Sequence, residues 1–283
     1  MIYISTGSFA EKNLFSCVEN MIQSGFKNIE LTGGFNHTPG LEEFLIQKKS
    51  KCNFRLHNYF PPPEKHFVVN LCGNEKNVEL SMTLLSEAIL LSEKIDSHKF
   101  GFHAGFRVAA KPSDLGKVFK ANPLIDKKNA IDLFKKNFQN LNKLAVEHGV
   151  ELYLENNVLT PSNLKVYMNE NPFLLTCAEE VEEFFELFSF KLILDVGHLK
   201  VSSRSLSLDF EDQMVKLLSK TDYLHISDNS GEADENRALT KDSELFSILS
   251  NNRSLLRNKD FTVEVYSGVK EVIGTIDLLE SII

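Results

Sequence analysis

The sequence predicts a single (β/α)8 TIM barrel running from residue 1 to residue 283. Three observations predict it. Short apolar, β-rich runs recur eight times, and most are followed by a longer segment whose apolar residues keep helical spacing. No Gly/Ser linker, solenoid repeat or single-sign charge block marks a domain boundary. Strands alternating with helices pair in parallel through right-handed crossovers, and eight such units are the number that closes a barrel. A doubly wound open sheet is the alternative.

The expected strands, in order, are Ile2–Thr6, Asn28–Leu31, Phe54–His57, Lys99–His103, Glu151–Glu155, Leu192–Asp195, Asp222–Ile226 and Phe261–Val265. After the first, Glu11–Ser24 sets Leu14, Val18, Met21 and Ile22 on one helical face, with Ser8-Phe-Ala-Glu11 as a capping box and Gly25 as its stop. After the fourth, Ile131, Phe134, Phe138, Leu141 and Ala145 repeat the pattern before Gly149. After the fifth, Thr176-Cys-Ala-Glu179 reads as a box opening a helix with Val181, Phe184, Phe185 and Phe188, an aromatic set that reads as core packing. Irregular stretches are expected at Tyr59–Asn74, Gly105–Asn129, Asn156–Leu175, Val196–Leu208 and Ser227–Lys241. All follow strands, so in a barrel they gather at the C-terminal face, where barrel enzymes keep their active sites.

Composition narrows the function classes. With 42% hydrophobic and 25% charged residues the chain is an ordinary globular protein. Its 31 Lys+Arg against 39 Asp+Glu give a formal charge of −8, so nucleic acid, a polyanion, is not an expected partner. Cys17, Cys52, Cys72 and Cys177 form no CxxC pair and read as reduced, buried side chains. Met1 leads into Ile-Tyr-Ile-Ser without a signal peptide's basic head, and no run approaches the ~18 apolar residues of a membrane helix. The expectation is a cytoplasmic protein with no membrane partner. Ser5-Thr6-Gly7-Ser8 and Gly33-Gly34 lack the Lys-Ser/Thr of a P-loop, and no Gly-x-Ser-x-Gly elbow is present.

Ligand-type side chains collect at the strand ends. Glu30, His57, His103, Glu155 and Asp195 close the second to sixth strands, His225 lies within the seventh and Glu264 ends the eighth; His198 follows Asp195 by three residues, and Asp228 and Asp234 follow His225. A lone strand-end His or Asp is usually a satisfied hydrogen-bonding group. Glu155 and Glu264 weigh more, because a carboxylate directly after an apolar strand is costly to bury unless a cation or partner compensates it. Carboxylates and imidazoles converging at one barrel mouth suit a divalent cation such as Mn2+, Co2+, Mg2+ or Zn2+. His37, His66, His98 and His148 lack any such pattern and read as surface residues.

The segments Asn-Ile-Glu30, Arg-Leu-His57, Phe-His103-Ala-Gly, Leu-Tyr-Leu-Glu155-Asn156, Leu-Asp195-Val-Gly-His198, Leu-His225-Ile-Ser-Asp228-Asn229 and Val-Glu264-Val span nearly the whole chain. In this order and at strand spacing they resemble the xylose isomerase-like barrel superfamily, which includes sugar isomerases, ketose epimerases and endonuclease IV. The resemblance implies a metal held by one residue from each of the last four strands, here Glu155, Asp195, His225 and Glu264. It also implies that His198 contacts substrate oxygens. In endonuclease IV-like members two further histidines, matched by His57 and His103, and an Asp-x-His after the seventh strand enlarge the site to a zinc cluster. Here that last element reads Asp234-Glu235-Asn236, and the loop Ser227-Asp228-Asn229-Ser230-Gly231 lacks the arginine that several ketose epimerases carry.

The expected activity is a divalent-metal-dependent isomerase or epimerase acting on a sugar, sugar phosphate or related polyol through a metal-stabilised enediolate. Glu155 and Glu264 are the expected acid–base pair. His198, His57 and His103 are expected to bind substrate, the last two alternatively a second metal. Arg107, Lys111, Lys117 and Lys120 are expected to offer contacts to one phosphate. The alternatives are an endonuclease IV-like phosphodiesterase and a non-catalytic carbohydrate-binding barrel. Association with further copies of the chain, as a homo-oligomer, is left open.

Overall fold

The computed structural model describes residues 1–120 and 122–283. Eight parallel strands close a barrel in chain order: β1 (Ile2–Ser5), β2 (Asn28–Leu31), β3 (Asn53–His57), β4 (Lys99–His103), β5 (Glu151–Glu155), β6 (Lys191–Asp195), β7 (Tyr223–Ile226) and β8 (Asp260–Val263). The ring shuts where Ile2 and Ile4 of β1 register with Phe261 and Val263 of β8. Around it run α1 (Leu14–Gln23), α2 (Leu41–Lys48), α3 (Glu75–Lys94), α4 (Lys127–Glu147), α5 (Pro161–Val166), α6 (Ala178–Leu187), α7 (Val196–Leu206), α8 (Phe210–Leu218), α9 (Glu244–Asn251) and α10 (Val269–Glu280).

The two-residue period of a strand divides each sequence between two environments. Leu152 and Leu154 of β5, Leu192 and Leu194 of β6, and Leu224 and Ile226 of β7 join the large core between sheet and helices. Tyr153, Ile193 and Tyr223, the residues between them, form a separate cluster inside the barrel. Glu155, Asp195 and His225 are therefore the next inward positions on the same strands, two residues further toward the C-terminal face. Below the tyrosines Arg55 lies over the rings of Tyr3 (4.0 Å) and Tyr223 (4.5 Å) and pairs with Asp260, which Lys99 also reaches at 3.1 Å. This charged plug closes the N-terminal end and leaves the other end for polar groups.

Several expected boundaries move. Thr6 leaves β1 for a 3-10 turn (Thr6–Ser8), and Glu264 lies one residue past β8, although its amide still donates to Ile226 O at 3.0 Å. α1 starts at Leu14 because Asn13 caps it, accepting from Ser16 N at 3.1 Å; the Ser8–Glu11 box does not form. Before α6, the Thr176 amide and hydroxyl donate to Glu180, not Glu179, while Gln213 accepts from Ala178 N at 2.7 Å. The stretch after Asn156 contains α5, capped by Thr160. Most of Val196–Leu208, expected to be irregular, is α7.

The loop after β4 carries its own satellite core, in which Val108 and Phe119 meet Leu159, Tyr167 and Phe173. Arg107 is not free for phosphate. It is buried and donates to Ile125 O (3.0 Å), Asn171 O (2.8 Å) and Glu170 (2.5 Å), pinning that loop to the next one. Lys111, Lys117 and Lys120 are exposed. The four cysteines are buried and unpaired, and Phe184 and Phe188 pack on Phe134 as core. His37, His66 and His98 are exposed, and His148 pairs with Glu93 at 2.9 Å. Among the described residues no helix is long and apolar enough to cross a membrane.

Gly101 of β4 faces the axis, where a Cβ would run into Ile193 Cδ1 and stand 3.3 Å from His57 Cδ2. Gly101→Val is expected to lower stability by about 1–3 kcal/mol through overpacking, read as an earlier urea-unfolding midpoint. An unchanged midpoint would show that the axis has room there.

Candidate metal centre

The last four strands bring one ligand atom each from Glu155, Asp195, His225 and Glu264 within 4.8 Å of one another. His225 Nδ1 is the hub. It lies 3.4 Å from Glu155 Oε1, 3.6 Å from Glu264 Oε2 and 4.0 Å from Asp195 Oδ2. Ligands about 2.1 Å from a tetrahedral ion stand about 3.4 Å apart, so this spacing matches a cation-sized gap. All four residues are buried, the most open being Glu264 at 6%. Glu155 Oε1 and His225 Nδ1 have no hydrogen-bond partner, and among the described residues histidines are the only ion-pair partners of the three carboxylates. Three carboxylates and an imidazole without thiolate form a hard-to-borderline donor set, and they fit a divalent cation.

Local structure fixes each donor. Asp195 ends β6 and is the N-cap of α7: its Oδ1 accepts from His198 N at 2.6 Å, which leaves Oδ2 for the hub. Asn156 clamps the same residue, donating from Nδ2 to Asp195 O (3.0 Å) and accepting from Asp195 N (2.8 Å). His198, in the first turn of α7, places Nδ1 3.0 Å from Asn156 O and Nε2 3.4 Å from Asp234 Oδ2. A carbonyl oxygen only accepts, so Nδ1 carries a proton and Nε2 is the nitrogen turned to the mouth.

Glu155 divides its two oxygens. Oε1 faces His225 (3.4 Å) and His198 (3.6 Å), whereas Oε2 faces His57 (2.5 Å) and His103 (3.2 Å). All seven residues singled out as site residues therefore meet in one cluster. The sequence reading gave Glu30 no task, yet it is 1% exposed and sits 3.1 Å from His225 Nε2. Asp234, Asn156 and Glu30 carry the support; the sequence singled out Asp234 and Glu30 by position and Asn156 beside Glu155, without their contacts. The groove of about 720 Å³ between α2, Pro61–Pro63 and α3 lies elsewhere, and none of these ligand-type residues lines it.

The charges are mutually dependent. Burial lifts Asp195 to about 7, with Glu155, Asp234 and Glu264 adding and His198 opposing. Burial alone would depress His225, but Glu30, Glu264 and Glu155 hold it well above the ordinary imidazole range. Burial would likewise raise Glu155, but His103, His57 and His225 hold it well below the usual carboxylate range. His103 is pushed down to about 4 by burial, against the pull of Glu155, and is neutral at pH 7.

No family model matches the sequence. An uncharacterised protein of Methanocaldococcus jannaschii is 26% identical over 174 residues, and the match spans 61% of this chain and 57% of that protein. A D-tagatose 3-epimerase-like protein superposes with a TM-score of 0.74 at 15% identity, over 99% of this chain and 96% of that one. An AP endonuclease, family 2, of Brucella melitensis does so with a TM-score of 0.62 at 13% identity, over 96% and 95%. The fold is a closed (β/α)8 barrel of the kind these structures have. In this barrel the clustered residues occupy the C-terminal mouth, where the eight post-strand connections begin.

An entering cation must displace the protons held by Asp195 and His225, whose affinities for protons are both raised. Metal affinity therefore rises with pH as these two groups give up their protons, and it is lost as pH falls. Zn2+ affinity is expected to weaken about tenfold or more from pH 8 to pH 6, with proton release on binding, measured by calorimetry in two buffers. Equal affinity at both pH values would contradict the assignment of these protons.

Proposed function

We propose that the chain, acting as one barrel unit from residue 1 to 283 in the cytoplasm, is a divalent-metal-dependent isomerase or epimerase of a sugar, sugar phosphate or related polyol. The observation that carries this reading is the pair of buried carboxylates, Glu155 and Glu264, set 3.4 and 3.6 Å from one imidazole nitrogen at the barrel mouth. The similarity to a sugar epimerase-like structure supports it. Glu155, Asp195, His225 and Glu264 would hold the ion.

When bound, a divalent cation supplies Lewis-acid stabilisation of negative charge on adjacent substrate oxygens. One of Glu155 and Glu264 takes the proton from the carbon next to the carbonyl, the C–H electron pair becomes the C=C of an enediolate, and the other glutamate returns a proton. Asp195 does not turn, because α7 holds its Oδ1. His198 is held well above the ordinary range by Asp195 and Asp234 against burial, so it donates Nε2–H to a substrate oxygen. Neutral His103, its side chain 23% exposed, offers a contact for a substrate hydroxyl. His57, buried against Glu155, supports that carboxylate.

A second reading, two-metal phosphodiester hydrolysis, is favoured by one observation: His57 and His103 both face Glu155 Oε2. Against it, Asn236 stands in the Asp-x-His position and donates its amide to Asp234 Oδ2 at 3.3 Å. The formal charge of −8 also weighs against gripping DNA, and burial of Arg107 withdraws one cation from a loop whose Lys111, Lys117 and Lys120 stay exposed.

Glu155→Gln and Glu264→Gln are each expected to abolish incorporation of solvent deuterium into substrate, in a screen of sugars and sugar phosphates with Mn2+, Co2+, Mg2+ and Zn2+. The far-UV circular dichroism should stay unchanged, since glutamine has nearly the same volume. Wild-type turnover in either variant would refute the two-glutamate mechanism. No incision of abasic DNA is expected with any of these metals, and incision that disappears in Glu155→Gln would promote the hydrolytic reading.

A further inference from the structure

Glu30 reaches across the barrel from β2 to the far side of the His225 ring. The Nδ1 side of that ring faces three carboxylates, and its Nε2 stands 3.1 Å from Glu30 Oε1, an ion-pair contact in which neither atom makes an aligned hydrogen bond. The other oxygen of Glu30 is already engaged: Oε2 accepts from Thr262 Oγ1 at 3.0 Å and from the Tyr223 hydroxyl. Those two hydroxyls are 2.7 Å apart, and Thr262 registers directly with His225 across β7 and β8. Tyr223 packs edge-on against His225, with ring centroids 5.3 Å apart, and carries the Arg55 guanidinium on its own ring. Glu30 is thus held on one oxygen and free to face histidine with the other.

A neutral imidazole has one N–H and one lone pair, and an ion can use only the lone pair. Three carboxylates around Nδ1 attract the proton to that nitrogen, which is the wrong tautomer for a ligand. A single carboxylate on Nε2 draws it the other way. We propose that Glu30 is a positioning residue that keeps the His225 proton on Nε2, so that Nδ1 is presented to a divalent cation. Carboxylates behind metal-binding histidines commonly set ring orientation and tautomer in this manner. This inference rests on the metal reading above and extends it to a residue outside the ligand set. It also separates Glu30 from a ligand role, although ligand atoms of Glu30, His57, His225 and Glu264 lie within 4.8 Å of one another. With two hydroxyls on Oε2, its one open oxygen already faces Nε2.

The test compares wild type, Glu30→Ala, Glu30→Gln and the double variant Tyr223→Phe/Thr262→Val. Zn2+ affinity is read by competition with a chromophoric chelator, and the protonated nitrogen of His225 by long-range 1H–15N correlation spectra of histidine-labelled protein. In wild-type zinc protein the proton is expected on Nε2. Glu30→Ala should weaken zinc binding by about 10–100-fold and shift the His225 proton to Nδ1 in the zinc-free protein at high pH. Glu30→Gln, whose amide oxygen can accept from Nε2–H, should recover much of that loss. If Glu30→Ala does not fold, the double variant, which frees Glu30 to swing, should weaken zinc in the same direction. Zinc affinity of folded Glu30→Ala within about twofold of wild type would overturn the proposal alone, as would a proton on His225 Nδ1 in the wild-type zinc form. A second zinc ion lost specifically in Glu30→Ala would also overturn it, by making Glu30 a ligand. Wild-type protein that binds no zinc would overturn the metal reading, and this inference with it.

Discussion

Three carboxylates within 4 Å of one imidazole nitrogen, buried and, among the described residues, with no lysine or arginine paired to any of them, set the terms for the rest of this barrel. Removing such charges from water is expensive unless a cation answers them. In the metal-free protein, protons on His225, His198 and Asp195 supply part of that answer. A divalent ion held by the four would displace the protons on His225 and Asp195, so the cluster is arranged around a positive charge whichever form supplies it.

The scaffold holds this arrangement by giving each donor a second obligation. Asp195 caps a helix with one oxygen and faces the hub with the other. Glu155 splits its oxygens between two pairs of histidines. His225 has a carboxylate behind it, and that carboxylate is anchored by Tyr223 and Thr262, themselves one layer above the Arg55–Asp260 pair. A continuous polar column therefore runs up the barrel axis, while the aliphatic residues of the same strands pack outward against the helices. Contacts through Tyr223 join the cluster at the mouth to the charge pair at the base.

The eight strands and their order were legible because the outward-facing residues of each strand are strongly apolar and the following segments have helical period. The residues that cluster at the mouth were legible for a related reason: a charged residue closing an apolar run is an exception that needs an explanation. What lay beyond the sequence depends on partners far away in the chain. Arg107 resembles a free cation until the carbonyls of Ile125 and Asn171 are brought to it. Glu30 acquires its task only when His225, Tyr223 and Thr262 arrive from the opposite wall. The α7 segment contains Gly197, Ser202, Ser203 and Ser205, poor helix formers that suggest a loop. It is helical because Asp195 caps it, and Gly197 allows close packing, since a Cβ there would stand 2.7 Å from Ser227 Oγ.

The central claim is that one divalent ion belongs among Glu155, Asp195, His225 and Glu264. Crystals of protein purified in the presence of Zn2+, with anomalous diffraction recorded on both sides of the zinc edge, test it most directly. The account predicts an anomalous peak about 2.0–2.2 Å from one atom of each of the four residues, with His225 bonded through Nδ1. No peak at the barrel mouth, or a peak bonded only to His57, His103 or surface residues while the four remain unbridged, would contradict it.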